Sequence, residues 1–301
     1  MAAFNGPRDW GRLLTAMVTP FHKDGSVNYE EAARIAAHLV DVQKNDGLVI
    51  SGTTGESPTL SDEEKFSLLS CTLDAVGDRA AVVFGAGTYD TAHSIHLTKE
   101  GEKRGAHGIM LVNPYYSKPG QAGLYAHFST VARETGLPVM LYNIMPRSSI
   151  NLETPVLIRL ANDVANIVAV KEASGNLNQI ADVAAKMPAG FRIYSGDDAL
   201  TLPIIAVGGH GLVSVAAHVA GADPKAVIDG AVAGDLKSAQ KANARLVDLV
   251  KAVFSAPSPT PIKYMLAKNG FDCEDVRLPL VKLDGAQKAV IDAAMKPFAM
   301  A

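Results

Sequence analysis

Lys171 ends an apolar, mostly β-branched run, Ile167-Val168-Ala169-Val170. Burial disfavours an ammonium and lowers a lysine's pKa. The neutral amine that results is a nucleophile and forms imines with ketones. A plainer reading pairs Lys171 with Glu172 or a neighbour at the strand end. Tyr142 would donate and accept protons as water leaves an imine, or it would simply fill space. Thr53 and Thr54 sit in "SGTTGES", between two glycines. Such a turn offers backbone N–H groups and hydroxyls to an anion, or it caps a helix. Arg147 would clamp a carboxylate through two hydrogen bonds, or lie in solvent. "NPYYSKPG" adds Tyr115 and Tyr116 in a Pro- and Gly-bounded loop.

Other polar clusters point elsewhere. "SGDDA" (195–199) reads as a helix cap that complements the helix dipole, rather than as a magnesium site. His93 and His96 are spaced i, i+3 with no acid or thiol beside them in sequence, so solvent exposure is expected. There is no P-loop, no G-x-S-x-G and no H-E-x-x-H. No metal site is expected.

The elements that would position these residues alternate. Strands are expected at 13–19, 47–51, 80–86, 108–113, 138–143, 167–172, 191–196 and 211–216. Most are short and β-branched with little alternation, as strands covered on both faces are. Helical stretches fall at 28–44, 61–76, 91–105, 152–163 and 176–187. Ser61 and Glu64 form a capping box at the start of the second. Strand–helix alternation implies parallel strands and right-handed crossovers. The expected fold is α/β, a (β/α)8 TIM barrel over 1–222 with a C-terminal helical extension over 223–301. The rival is a doubly wound sheet, but "GAG" at 85–87 lacks the third glycine of a dinucleotide fingerprint. In a barrel, Thr53, Tyr116, Tyr142, Arg147 and Lys171 all fall at or just beyond strand C-termini, where active sites gather.

Composition excludes several classes. The 301 residues are 48% hydrophobic, enough for a large core, and the net charge of -3 makes nucleic acid an unexpected partner. The two cysteines form no C-x-x-C pair. A reduced, cytoplasmic setting is expected over a disulfide. The N-terminal residues do not read as a secretory signal. No apolar run approaches the roughly 20 residues of a membrane span. Trp10, the single tryptophan, is read as part of an N-terminal tail.

The motifs "GTTGES", "NPYY", "YN…R", "VKEASGN", "SGDDA" and "SPTPIKYML" occur in this order. Together they resemble the dihydrodipicolinate synthase family, within the superfamily of Schiff-base pyruvate aldolases that includes N-acetylneuraminate lyase. The resemblance spans about residues 12 to 280. It implies a lysine, Lys171, that captures pyruvate as an imine, and an acid/base tyrosine, Tyr142. It implies that Thr53 relays protons between Tyr142 and a Tyr116 contributed by a neighbouring subunit. Thr54 would hold the pyruvate carboxylate, and Arg147 the carboxylate of aspartate semialdehyde. Gly196 and Val213 would line the pyruvate pocket. A homotetramer built as a dimer of dimers, with no cofactor, is implied as well.

Two departures from the family pattern stand out. In "YNIMPRSS" the proline, Pro146, lies immediately before Arg147. It is expected to bias Met145 towards extended backbone, and it leaves open a sister aldolase or dehydratase acting on a 2-keto-3-deoxy sugar acid or N-acetylneuraminate. Lysine-inhibited members carry their effector cleft where Asp62, Lys65, Tyr89 and His93 fall here. Lys65 and His93 would repel a lysine, so feedback is expected to be weak or absent.

Overall fold

The computed structural model describes residue 4 and residues 6–298. The strands are β1 (Leu13–Ala16), β2 (Gly47–Ile50), β3 (Ala81–Gly85), β4 (Gly108–Val112), β5 (Val139–Asn143), β6 (Ile167–Glu172), β7 (Arg192–Ser195) and β8 (Gly211–Ser214). They close into one parallel barrel in sequence order, with β8 paired to β1. The α/β TIM-barrel expectation therefore holds, and every expected strand exists. The real strands are shorter by a residue or more at most ends, because the last residues of several expected runs turn into the loops.

Alternation inside the strands divides two layers. Val49, Ala81, Val83, Met110 and Met140 point into the barrel, while Leu48, Val82, Phe84, Ile109 and Leu141 pack outward against the helices. Each buried aliphatic side chain of this kind contributes about 1.5–3 kcal/mol. Trp10 is a correction to the tail reading. It is fully buried at the N-terminal end of the barrel, and its Nε1 donates to the His107 carbonyl at 3.0 Å. A Cβ on Gly108 would lie 2.2 Å from the indole, so only glycine lets β4 begin there.

Helix starts follow their capping residues. Asn28 caps Tyr29–Asp41, and Ser61 with Glu64 makes the full capping box of Asp62–Val76. Beyond β8 come the helices Ala222–Val232, Leu236–Val253, Thr260–Lys268 and Gly285–Met295. Residues 299–301 of the last expected helix lie outside the described residues.

The extension is bound into the barrel by a buried ion pair. Lys263 donates to Glu56 at 2.7 Å and to the Thr19 carbonyl at 2.9 Å, with side-chain exposures of 0% and 2% for the pair. The Arg277 backbone N–H supplies the other carboxylate oxygen at 3.0 Å. Both cysteines are free thiols. No helix among the described residues is long and apolar enough to cross a membrane.

Candidate active site

Strict alternation from Ile167, which faces outward, would turn Lys171 outward too. It does not, because β6 carries one extra residue. Val139 pairs with Ile167, but Met140 pairs with Ala169, so Val168 is bulged. Val168 and Ala169 both face the barrel interior, and the phase beyond them is reversed. A bulge re-aims side chains in this way, and bulges are common beside active sites. Lys171 therefore points inward, opposite Tyr142 in register, and Glu172 points outward.

That geometry removes the pairing of Lys171 with Glu172, and no carboxylate among the described residues lies within salt-bridge distance of Lys171. Glu172 bonds instead to the Asn143 amide and to the Ser174 N–H. The Lys171 Nζ lies 4.2 Å from the centre of the Tyr142 ring, and only 5% of the residue is exposed. Burial lowers its pKa to about 7; the Asp198 carboxylate opposes the shift and the Arg147 charge adds to it. Burial also pushes Tyr142 up to about 12, with Arg147 and a hydrogen bond from Thr53 opposing. At neutral pH the site thus holds a protonated phenol and a lysine with a large neutral fraction. That is the state an imine-forming amine needs.

A cavity of about 230 Å³ opens over this pair, with Thr53, Tyr115, Tyr142 and Arg147 in its walls. Lys171 is not among the wall residues; its Nζ packs against the ring of Tyr142, which is. Thr54 and Val213 are buried outside the wall, Val213 among the barrel's inner side chains. Gly196 packs on Lys171 itself: a Cβ there would lie 3.0 Å from the lysine's Cγ and Cε and 2.8 Å from the Ala173 Cβ. Gly196→Ala is expected to crowd the lysine and slow borohydride trapping of a pyruvate adduct about tenfold, a cost of order 1–2 kcal/mol for overpacking. Unchanged trapping would show that the lysine can give way. Tyr116 is 90% exposed and does not enter the cavity of its own chain.

The loop before Arg147 differs from expectation. Met145 is not extended; Met145–Ser148 forms one helical turn with Pro146 in it. A proline in the first helical turn loses no hydrogen bond, because those N–H groups have no intrahelical acceptor. Ser148 Oγ closes the turn on the Ile144 and Ile150 carbonyls, at 2.8 and 3.0 Å. Arg147 so remains at the cavity wall.

Asp197 caps the turn Asp198–Leu200, as expected of "SGDDA". Asp198 does not: it is buried, accepts from Ser214 Oγ and from Val215 N, and its charge acts on Lys171. Ser51, in the cavity wall, holds a left-handed φ of 54° and has a buried hydroxyl with no protein partner. Nothing in its flanking sequence signals that. His93 is corrected, since it is half-buried and pairs with Asp62 at 2.8 Å, while His96, 4.0 Å from the same carboxylate, is exposed as expected. Their partner sits on another helix and was invisible in the local sequence. No group of three or more potential metal ligands occurs among the described residues.

The fold and these residues can be set beside known proteins. Residues 9–297 match the dihydrodipicolinate synthetase family. The 4-hydroxy-tetrahydrodipicolinate synthase of Moorella thermoacetica is 50% identical over 95% of this chain and 98% of its own. That of Bacillus subtilis is 46% identical over 91% and 94%. The crystal structure of a dihydrodipicolinate synthase from Bacillus anthracis superposes with a TM-score of 0.94 at 41% identity, covering 97% of this chain and 100% of that one. The enzyme from Cyanidioschyzon merolae, with lysine bound, gives 0.93 at 41% identity over 95% and 97%. The chain belongs to the dihydrodipicolinate synthetase family.

Proposed function

We propose that this chain condenses pyruvate with L-aspartate-4-semialdehyde, the 4-hydroxy-tetrahydrodipicolinate synthase reaction. The observation that carries the proposal is Lys171, buried with a pKa lowered to about 7, held 4.2 Å from the Tyr142 ring. Arg147 stands at the mouth of the same cavity.

The Lys171 amine adds to the pyruvate ketone to give a carbinolamine. Tyr142 passes a proton to the departing hydroxyl, water leaves, and the imine forms. Loss of a methyl proton gives the enamine, whose terminal carbon attacks the aldehyde. The substrate's own amine then closes on the imine carbon and releases Lys171. Each proton taken up is returned, so the sequence balances without a cofactor. Thr53 relays protons to Tyr142, and Thr54 with its turn holds the pyruvate carboxylate. Gly196 and Val213 shape the pyruvate pocket, and Arg147 clamps the carboxylate of the aldehyde. The exposure of Tyr116 supports its working in the cavity of a neighbouring copy, within a homotetramer. A cytoplasmic setting accords with two free thiols.

The test compares turnover of pyruvate plus aspartate semialdehyde with cleavage of 2-keto-3-deoxy sugar acids and N-acetylneuraminate. Turnover of the semialdehyde at a kcat/KM at least a hundredfold higher supports the proposal, and the reverse preference selects the sister aldolase.

Regulation gives a separate expectation. Asp62 already receives His93 Nε2 at 2.8 Å and Lys65 Nζ at 3.4 Å. Burial works to raise its pKa, but these partners outweigh it and hold the carboxylate low. A lysine effector would find that anion engaged and a buried ammonium, Lys65, beside it. Millimolar lysine is expected to leave initial rates unchanged. Inhibition by half or more at those concentrations would contradict this.

A further inference from the structure

We propose that Asn143 and Glu172 form a positioning couple that sets the reach of Arg147 relative to Lys171 and so governs use of the second substrate. The inference rests on the function proposed above. The reacting pair, Tyr142 and Lys171, is followed in each strand by Asn143 and Glu172, which are also in register. These two face away from the cavity and are buried, at 0% and 1% exposure.

The Asn143 amide nitrogen donates to both Glu172 oxygens at 3.2 Å and to Asn151 Oδ1 at 2.9 Å. Its carbonyl oxygen accepts from the Leu152 N–H at 3.0 Å and from Asn113 Nδ2 at 2.9 Å. Residues 144–150, which include Arg147, make an excursion between Asn143 and Asn151. One side chain therefore closes the base of that loop and also binds the strand that carries Lys171. Gln179 locks the returning end by accepting from Asn151 Nδ2 at 2.7 Å and donating to the Leu152 carbonyl at 2.9 Å.

A leucine pair would fill this space without burying a carboxylate, and swaps of that kind are often neutral or stabilising. What a connected polar network adds is a single geometry. Here the geometry fixed is the offset between a carboxylate clamp and an imine-forming amine. Glu172 and Asn143 touch no reacting atom, so both are positioning residues. The position of Arg147 matters to the chemistry itself, because its charge acts on both Lys171 and Tyr142.

The test separates the two half-reactions. Asn151→Ala removes the tie from Asn143 Nδ2 and the bonds between Asn151 and Gln179, and leaves the Leu152 N–H tie and the strand tie to Glu172. The KM for aspartate semialdehyde should rise about fivefold, the scale of a net hydrogen-bond contribution at a loop base that keeps one of its two ties to Asn143, while the rate of pyruvate trapping by borohydride stays within twofold. Glu172→Gln keeps the shape but loosens the shared strand end, so trapping and semialdehyde KM should both worsen while the melting temperature confirms a folded chain. The couple is overturned if Asn151→Ala shifts both readouts equally or neither, or if Glu172→Gln changes stability alone. If the unaltered chain traps no pyruvate, the catalytic reading itself fails and takes this one with it. A parent that traps pyruvate with an unsplit Asn151→Ala variant defeats the couple only.

Discussion

Lys171→Met removes the borohydride-trapped pyruvate adduct and lowers turnover at least about ten-thousand-fold, as loss of a covalent nucleophile does. Methionine is chosen because it keeps the length and apolar stem of lysine in a buried position. The fold should survive, since the substitution removes a group whose charged form burial already disfavours. In the unaltered chain, the trapping rate at pyruvate well below saturation follows the neutral fraction of Lys171. It should rise with pH through about 7 and flatten above. An ordinary lysine, with a pKa near 10.4, would give a rate still climbing about tenfold per unit between about pH 8 and 9. That profile, or an adduct mapped to another lysine by peptide mass, would refute the assignment.

Lys263→Met has the largest expected effect on stability. It leaves Glu56 buried with its cationic partner gone, and breaking a buried pair from one side costs about 3–5 kcal/mol. The Thr19 carbonyl loses its donor in the same change. Denaturant unfolding of the variant should show that loss, and Glu56→Gln combined with Lys263→Met should restore most of it. A loss below about 1 kcal/mol, or a double variant no better than the single, would mean that the carboxylate finds water. Activity should fall with stability, because Glu56 belongs to the turn that holds Thr53 and Thr54. Glu56 itself holds a left-handed φ of 54°, a conformation that non-glycine residues keep only when their surroundings impose it.

The barrel was legible because burial on both faces writes itself into each strand separately. The eight runs needed only local composition and the punctuation between them. Lys171 was legible for the same reason, as a polar residue ending an apolar run. Its inward direction was not, because the extra residue at Val168 shows only when β5 and β6 are laid side by side. Residues that act across the chain were harder. Glu56 and Lys263 stood in two motifs that could be quoted, yet nothing in either shows that they meet. Asp62 and His93 are separated by a whole β-strand and loop, so the histidine looked unaccompanied. Pro146 misled for a different reason. Its effect on the preceding residue is a statistical bias, and here a helical first turn, where its missing N–H costs nothing, prevailed.

The chain's single indole is seated in the floor of the barrel and takes no part in the cavity wall. Its ultraviolet emission is therefore a property of strand closure rather than of catalysis. It should stay at the short wavelengths of a dry environment while the barrel is shut, and move to longer ones only as the barrel floor opens and water reaches the ring. The molecule thus carries a built-in optical gauge of its own integrity, one that can be read while substrates come and go at the other end.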